Sequence, residues 1–239
     1  MFLRYRSALL ILLLLVFWPQ VSGARLCQVP NRLPPPKIRV DWRNPSAPVD
    51  YLVFVLSWSP EFCFDRGEGR RQAYQCQVNR FTWVVHGLWP QSEKARSKYD
   101  HPRFCRLKPL PSRKTAAGIF CLMPSVNLIY GEWLKHGTCA FDTPKKYFDT
   151  IANLWERIKR PDMKVLYSRR GGNLRVGDVE QAFVSLNGPS GLRRNGIMVW
   201  TDKKGFLEEV KICLTSSLDY RACPNKRFNA SRKVKIRMP

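Results

Sequence analysis

Phe81-Thr-Trp-Val-Val-His-Gly-Leu-Trp-Pro-Gln91 and Tyr130-Gly-Glu-Trp-Leu-Lys-His-Gly-Thr-Cys139 hold two of the chain's three histidines, His86 and His136. The second stretch adds a carboxylate and an ammonium at helical spacing. In a helix over 126–139, Glu132, Lys135 and His136 stand at i, i+3 and i+4, on one face. The first stretch alternates as a strand does, with Thr82, Val84 and His86 on one side and Phe81, Trp83 and Val85 on the other. The pattern stops at Gly87, so His86 is expected at a strand end, where its side chain reaches a cleft. Imidazole changes charge near neutral pH, so one copy can accept a proton while the other donates it. A lysine beside them stabilises negative charge that develops during the reaction.

The rest of the chain must position these groups. Tyr51–Trp58 reads as a strand that is apolar on both faces and therefore central, with the Phe81–His86 strand beside it. Thr143 and Pro144 suit the N-cap and first position of a helix. Its stripe of Phe148, Ile151, Leu154, Trp155 and Ile158 belongs to the core, and Pro161 closes it. Val176–Leu186 reads as a shorter helix stopped by Asn187-Gly188. Gly196–Thr201 and Phe206–Leu214 read as a hairpin across Asp202–Gly205. The alternation of Val234–Met238 predicts an edge strand. Strands and helices mix without a regular βαβ repeat, so the expected class is α+β, a mainly antiparallel central sheet flanked by helices.

The N-terminal part divides differently. Residues 1–24 read as a secretory signal peptide, with Arg4 and Arg6, an apolar run from Ala8 to Trp18 and small residues ending Ser22-Gly23-Ala24. A transmembrane anchor needs ~20 apolar residues, and this run has about half that. Residues 25–50 form a Pro-rich arm, expected to lie extended over the domain of residues 51–239. Export to the medium or a periplasm agrees with the eight cysteines. Nearness in sequence favours Cys63–Cys76 and Cys213–Cys223. No Cys-x-x-Cys or His-Glu-x-x-His occurs, so no metal or other cofactor is implied.

The 41 basic residues against 18 acidic give a net charge of +23, or +21 once the signal segment is removed. A polyanion is drawn to such a surface, with affinity that falls as salt rises. A membrane surface or an acidic envelope would be drawn as well, so charge alone does not choose. Gln91–Thr115 is densely basic. It suits either a solvated surface loop or a phosphate-steering rim leaving the His86 stretch.

His86-Gly-Leu-Trp-Pro-Gln91 and Glu132-Trp-Leu-Lys-His-Gly-Thr-Cys139 resemble the two active-site signatures of the ribonuclease T2 family. Leu56-Ser-Trp-Ser-Pro60, Phe120–Ser125 and the Cys213/Cys223 pair extend the likeness, toward the family's bacterial branch. The resemblance implies that family's disulfide-stabilised α+β fold and a Cys105–Cys139 bridge, which leaves Cys27 and Cys121 over and available to pair. It implies an endoribonuclease acting on single-stranded RNA without metal, through a 2′,3′-cyclic phosphate, as a monomer with no stable membrane insertion after signal removal. His136 would serve as base and His86 as acid, with Glu132 and Lys135 stabilising the phosphorane, although the residues themselves do not order the two histidines. Trp89 and Gln91 would bind substrate. Trp89 suits either a base-stacking platform or a core tryptophan, Trp133 suits packing, and His101 suits solvent. The chain departs from the family at Gly131, where many members carry a histidine that helps hold phosphate. An arginine or lysine of the basic loop would then replace that contact. The alternative function is a catalytically weakened secreted protein on the same fold that binds RNA or acts on membranes by its charge.

Overall fold

The computed structural model describes residues 27–67, 69, 72–224 and 229–239. The expected signal peptide lies outside them. Strand β1 (Tyr51–Trp58) runs into helix α1 (Ser59–Arg66), with Pro60 in its first turn, and a π-helical turn follows at Tyr74–Val78. Strand β2 (Trp83–Gln91) leads through the basic loop to α2 (Arg113–Ile119) and then α3 (Val126–Glu132). Helix α3 continues through a π-turn (Trp133–Gly137) into α4 (Thr138–Ala140). Next come α5 (Pro144–Arg157), α6 (Met163–Arg169), β3 (Leu174–Arg175) and α7 (Val176–Asn187). Strands β4 (Ile197–Thr201), β5 (Leu207–Leu214) and β6 (Lys233–Val234) complete the chain.

Four strands form one antiparallel sheet in the order β2-β1-β5-β4, so the doubly apolar β1 is central, as its sequence predicts. The two sheet faces differ. Leu52, Phe54 and Leu56 of β1 point into the main core with Trp83 and Val85 of β2 and the stripe Phe148, Ile151, Leu154 and Ile158 of α5. Tyr51, Val53 and Val55 point the other way, where Trp89 and Met198 pack on them and, among the described residues, no helix joins the cluster. Thr143 caps α5, its hydroxyl accepting from the Lys146 N–H.

Three expectations change. Strand β2 does not stop at Gly87. It runs on to Gln91 through a bulge, because Val55 pairs with Gly87 and Leu56 with Val85, leaving His86 as the extra residue. The tail does not run as a strand along the main sheet but meets it at one parallel bridge, Lys235 with Phe206, where the Lys235 carbonyl accepts the Leu207 N–H at 2.9 Å. Lys233–Val234 pairs instead with Leu174–Arg175 in a two-stranded ribbon. The helix of the second motif is not regular, since its π-turn begins at Trp133. Gly137 permits that turn, because a Cβ there would stand 2.3 Å from the Trp133 ring. Trp133 itself is fully buried and donates its indole N–H to the Pro109 carbonyl at 2.9 Å, the packing role expected of it.

Four disulfides join Cys63–Cys76, Cys213–Cys223, Cys105–Cys139 and Cys27–Cys121. The last ties the start of the arm to the approach of α3. Among the described residues, no helix is long and apolar enough to cross a membrane.

Candidate active site

His86, Trp89, Glu132, Lys135 and His136 line one cleft of about 710 Å³ on the sheet face of Tyr51 and Val53. The bulge makes this possible. A β-bulge shifts the alternation of a strand by one residue and re-aims the side chains beyond it. Val85 and Leu88, an odd number apart, therefore both enter the core, and His86 and Trp89 share the cleft face.

Trp89 is the centre of the cluster. Its indole N–H donates to Glu132 Oε2 at 2.6 Å. His136 stacks on its ring at 5.4 Å and 28°, while His86 meets it edge-on at 5.1 Å. Gly87 admits the buried carboxylate, since a Cβ there would stand 2.0 Å from Glu132 Oε2 and 2.7 Å from the Trp89 nitrogen. Gly87→Ala is thus expected to displace Glu132 and destabilise the fold by about 1–3 kcal/mol. Thermal unfolding and kcat/KM measure the two effects, and an unchanged variant would show that the carboxylate has room to move.

The two histidines meet opposite surroundings. His86 keeps 33% of its side chain exposed, and its Nδ1 lies 2.6 Å from Glu209 Oε1 on β5. Its Nε2 is 3.7 Å from Glu132 Oε1, too far for a hydrogen bond but close for charge. Burial disfavours the imidazolium, but the Glu209 hydrogen bond and the charges of Glu132 and Glu209 outweigh it, so the His86 pKa is raised. The same contact holds Glu209 down to about 2 against the opposing effect of its burial. Lys211 Nζ, 3.2 Å from Glu209 Oε2 and 4.8 Å above the Trp89 ring, fixes the carboxylate from the other side.

His136 is buried, and its Nδ1 has no hydrogen-bond partner among the described residues. Burial lowers its pKa well below the ordinary value, and Arg103, His86 and Lys135 lower it further by charge. Burial also raises the Glu132 carboxyl, opposed by His86, the Trp89 hydrogen bond and Lys135. The surroundings of the cleft therefore favour a proton on His86 and disfavour one on His136. That pair can donate and accept protons on one bound molecule.

Arg103, from the basic loop, enters the cleft beside Lys135. The Asp41 carboxylate takes its Nε at 2.8 Å and its Nη2, and lies 3.9 Å from Lys135 Nζ. Burial works against the Asp41 charge, but these cations bring its pKa to about 2. Gln91 lies on the cleft wall with its amide bonded to the Pro90 carbonyl. His101 is not solvated as expected. It is half-buried in the cleft wall and accepts the Ser92 N–H on Nδ1 at 3.2 Å, and burial lowers its pKa. The expected motif residues thus converge, Arg103 joins them from the basic loop whose charge suggested such a rim, and Glu209, Lys211 and Asp41 come from segments with no signature in the sequence.

Comparison with known proteins follows the same lines. A family model described as the Ribonuclease T2 family matches residues 49–223. A probable ribonuclease of Haemophilus influenzae is 45% identical over 132 residues, 52% of this chain and 48% of that protein, so the match spans about half of the relative's length. A ribonuclease of Aeromonas hydrophila is 31% identical over 174 residues, covering 69% of this chain and 71% of that protein. Among solved structures, human RNase T2 aligns with a TM-score of 0.53 at 19% identity, over 80% of this chain and 98% of that one. An RNase-related protein from Calystegia sepium aligns with a TM-score of 0.59 at 20% identity, over 78% and 96%.

Proposed function

This chain belongs to the ribonuclease T2 family, and from that we propose that it is an exported endoribonuclease that cleaves single-stranded RNA by transesterification. One observation carries the reading. Across a single indole, an imidazole bonded to one carboxylate and near a second faces another set among cations. In the proposed step His136, neutral, removes the proton of a ribose 2′-hydroxyl. The 2′-oxygen attacks the adjacent phosphorus, and the 5′-oxygen leaves as His86 gives it a proton. The products are a 2′,3′-cyclic phosphate and a free 5′-hydroxyl, with the proton count unchanged. A second step, with water in place of the leaving alcohol, opens the ring.

The two protonation states needed are those the surroundings favour, and they order the histidines as the family resemblance does. Lys135 and a proton shared with Glu132 offset charge on the phosphorane. The nucleophile belongs to the substrate and is already in place, so the step asks for no metal. The need for a 2′-hydroxyl makes DNA a non-substrate. Trp89 serves chiefly to aim Glu132 and to wall in both histidines, because its N–H and one ring face are already engaged.

Incubating the protein, freed of its signal segment, with RNA homopolymers in EDTA tests the proposal. Cleavage to cyclic phosphate is expected, and loss of that product in both His86→Ala and His136→Ala. RNA that is bound but left intact would refute it.

A further inference from the structure

All but the last two residues of the Pro-rich arm lie outside the stretch that the family model matches, residues 49–223, yet the arm reaches the cleft. It runs alongside α3 in the same direction. The Lys37 N–H donates to Asn127 Oδ1 at 2.8 Å. Ile38 then covers Gly131, its Cδ1 3.8 Å from where a Cβ would stand. Asp41 reaches Lys135, and Asn44 forms a two-way backbone bridge with Arg103 at 2.9 and 3.1 Å.

The bridge is part of a strongly constrained loop. Phe104 holds φ at 50°, a left-handed conformation costly for a bulky residue. Its N–H donates to the Lys135 carbonyl at 2.9 Å, and the Cys105–Cys139 bond closes the loop onto the end of the motif helix. All of this fixes one side chain. The Arg103 side chain is only 13% exposed, Asp41 occupies one edge of its guanidinium, and the guanidinium carbon lies 3.9 Å from the centre of the Trp42 ring. Its Nη1 has no side-chain partner among the described residues, and Arg103 and Lys135 share a single Asp41 carboxylate.

We propose that Arg103, with Lys135, is a phosphate-binding group of this active site, held in place by Asp41 and Trp42 of the arm, and that Gly131 is where the arm docks. The inference rests on the ribonuclease reading and extends it to a part of the chain outside the family match. An arginine fork suits phosphate, and with one edge and one face already engaged it meets the anion at little further ordering cost. Two cations against one carboxylate leave a net positive charge for the substrate to neutralise. Asp41 and Trp42 are positioning residues that do not touch substrate. A Cβ at 131 would only touch Ile38, but a side chain as long as histidine would compete with it, so the site has a loop-borne contact, held by the arm, in place of a helix-borne one.

The test uses Arg103→Lys, Arg103→Ala, Asp41→Asn and Gly131→His in the full mature chain. The readouts are kcat/KM on a dinucleoside monophosphate, the inhibition constant of a ribonucleoside 3′-monophosphate, and Tm. Both Arg103 variants are expected to lose on the order of 10²-fold in kcat/KM, as when one preorganised donor to transition-state charge is removed. They should bind the 3′-monophosphate about tenfold more weakly, and Arg103→Lys should hold its Tm. Asp41→Asn should weaken the inhibitor by less, and Gly131→His should gain nothing. Arg103 variants within twofold of wild type on both readouts, beside inactive His86→Ala and His136→Ala, would overturn the clamp and leave the ribonuclease reading intact. A wild type that cleaves nothing would refute that reading. Calorimetry of the 3′-monophosphate with the Arg103 variants would still decide the clamp, unchanged affinity overturning it.

Discussion

Alanine at position 136 is expected to lower kcat by about 10²- to 10⁴-fold, the usual contribution of a positioned general base, while leaving the protein folded. The sign of the stability change separates this from structural damage. His136 is buried and its pKa is depressed, so the unfolded chain binds a proton more readily than the folded one. The native histidine therefore costs stability as pH falls through the unfolded value of ~6.5. Removing it should make the fold less sensitive to acid. The cavity left beside Trp89 and the loss of the stacked ring cost stability at every pH. The expected variant is thus somewhat less stable at pH 8, closes part of that gap at pH 5, and is nearly inactive at both. A variant retaining more than a tenth of wild-type kcat would remove His136 from the mechanism.

How much of this site can be read from the sequence depends on whether its signal is local. The two motifs carry residue types at spacings that point to one cleft, and the structure brings all four charged members there. The disulfide pairs expected from nearness and resemblance form, and the two cysteines left over bond to each other. The α5 stripe and the central β1 follow from simple periodicities, so they too were legible.

What failed was whatever depends on an irregular backbone or a distant chain. Strict alternation sets His86 and Trp89 on opposite faces, and only the bulge, specified jointly with β1, reunites them. Glu209 sits in Leu-Glu-Glu-Val-Lys, which reads as an ordinary half-exposed strand. Nothing in it says that the facing strand two places across the sheet carries a histidine. The arm shows as prolines and charge, and its proximity to Arg103 is purely tertiary. Gly131 looks like a lesion in the motif, but with Ile38 above it the same glycine reads as a contact surface.

Replacing Glu209 by glutamine, which preserves shape and removes charge, is expected to move the alkaline limb of the kcat/KM profile toward acid. The acid in the proposed step must be protonated, and Glu209 keeps the His86 imidazolium formed above its ordinary range. Activity is therefore present below the raised pKa of His86 and lost as pH climbs through it. On the other side it falls as His136 takes up a proton, well below 6.5. A charge-assisted hydrogen bond contributes about 1.5–3 kcal/mol, so above neutrality the variant should be slower by about ten- to a hundredfold. Well below both His86 pKa values the two enzymes should converge, because His86 is then protonated in both. The acid limb should stay where it is, since Glu209 does not govern His136. Stability follows the same linkage. A raised histidine pKa contributes stability that is fully present below the unfolded value and lost as pH rises through the folded one. Wild type should thus exceed Glu209→Gln in Tm at pH 6 and converge with it at pH 9. A merely structural carboxylate would lower both limbs together and shift neither. An alkaline limb that stays in place would exclude Glu209 as the group that tunes His86.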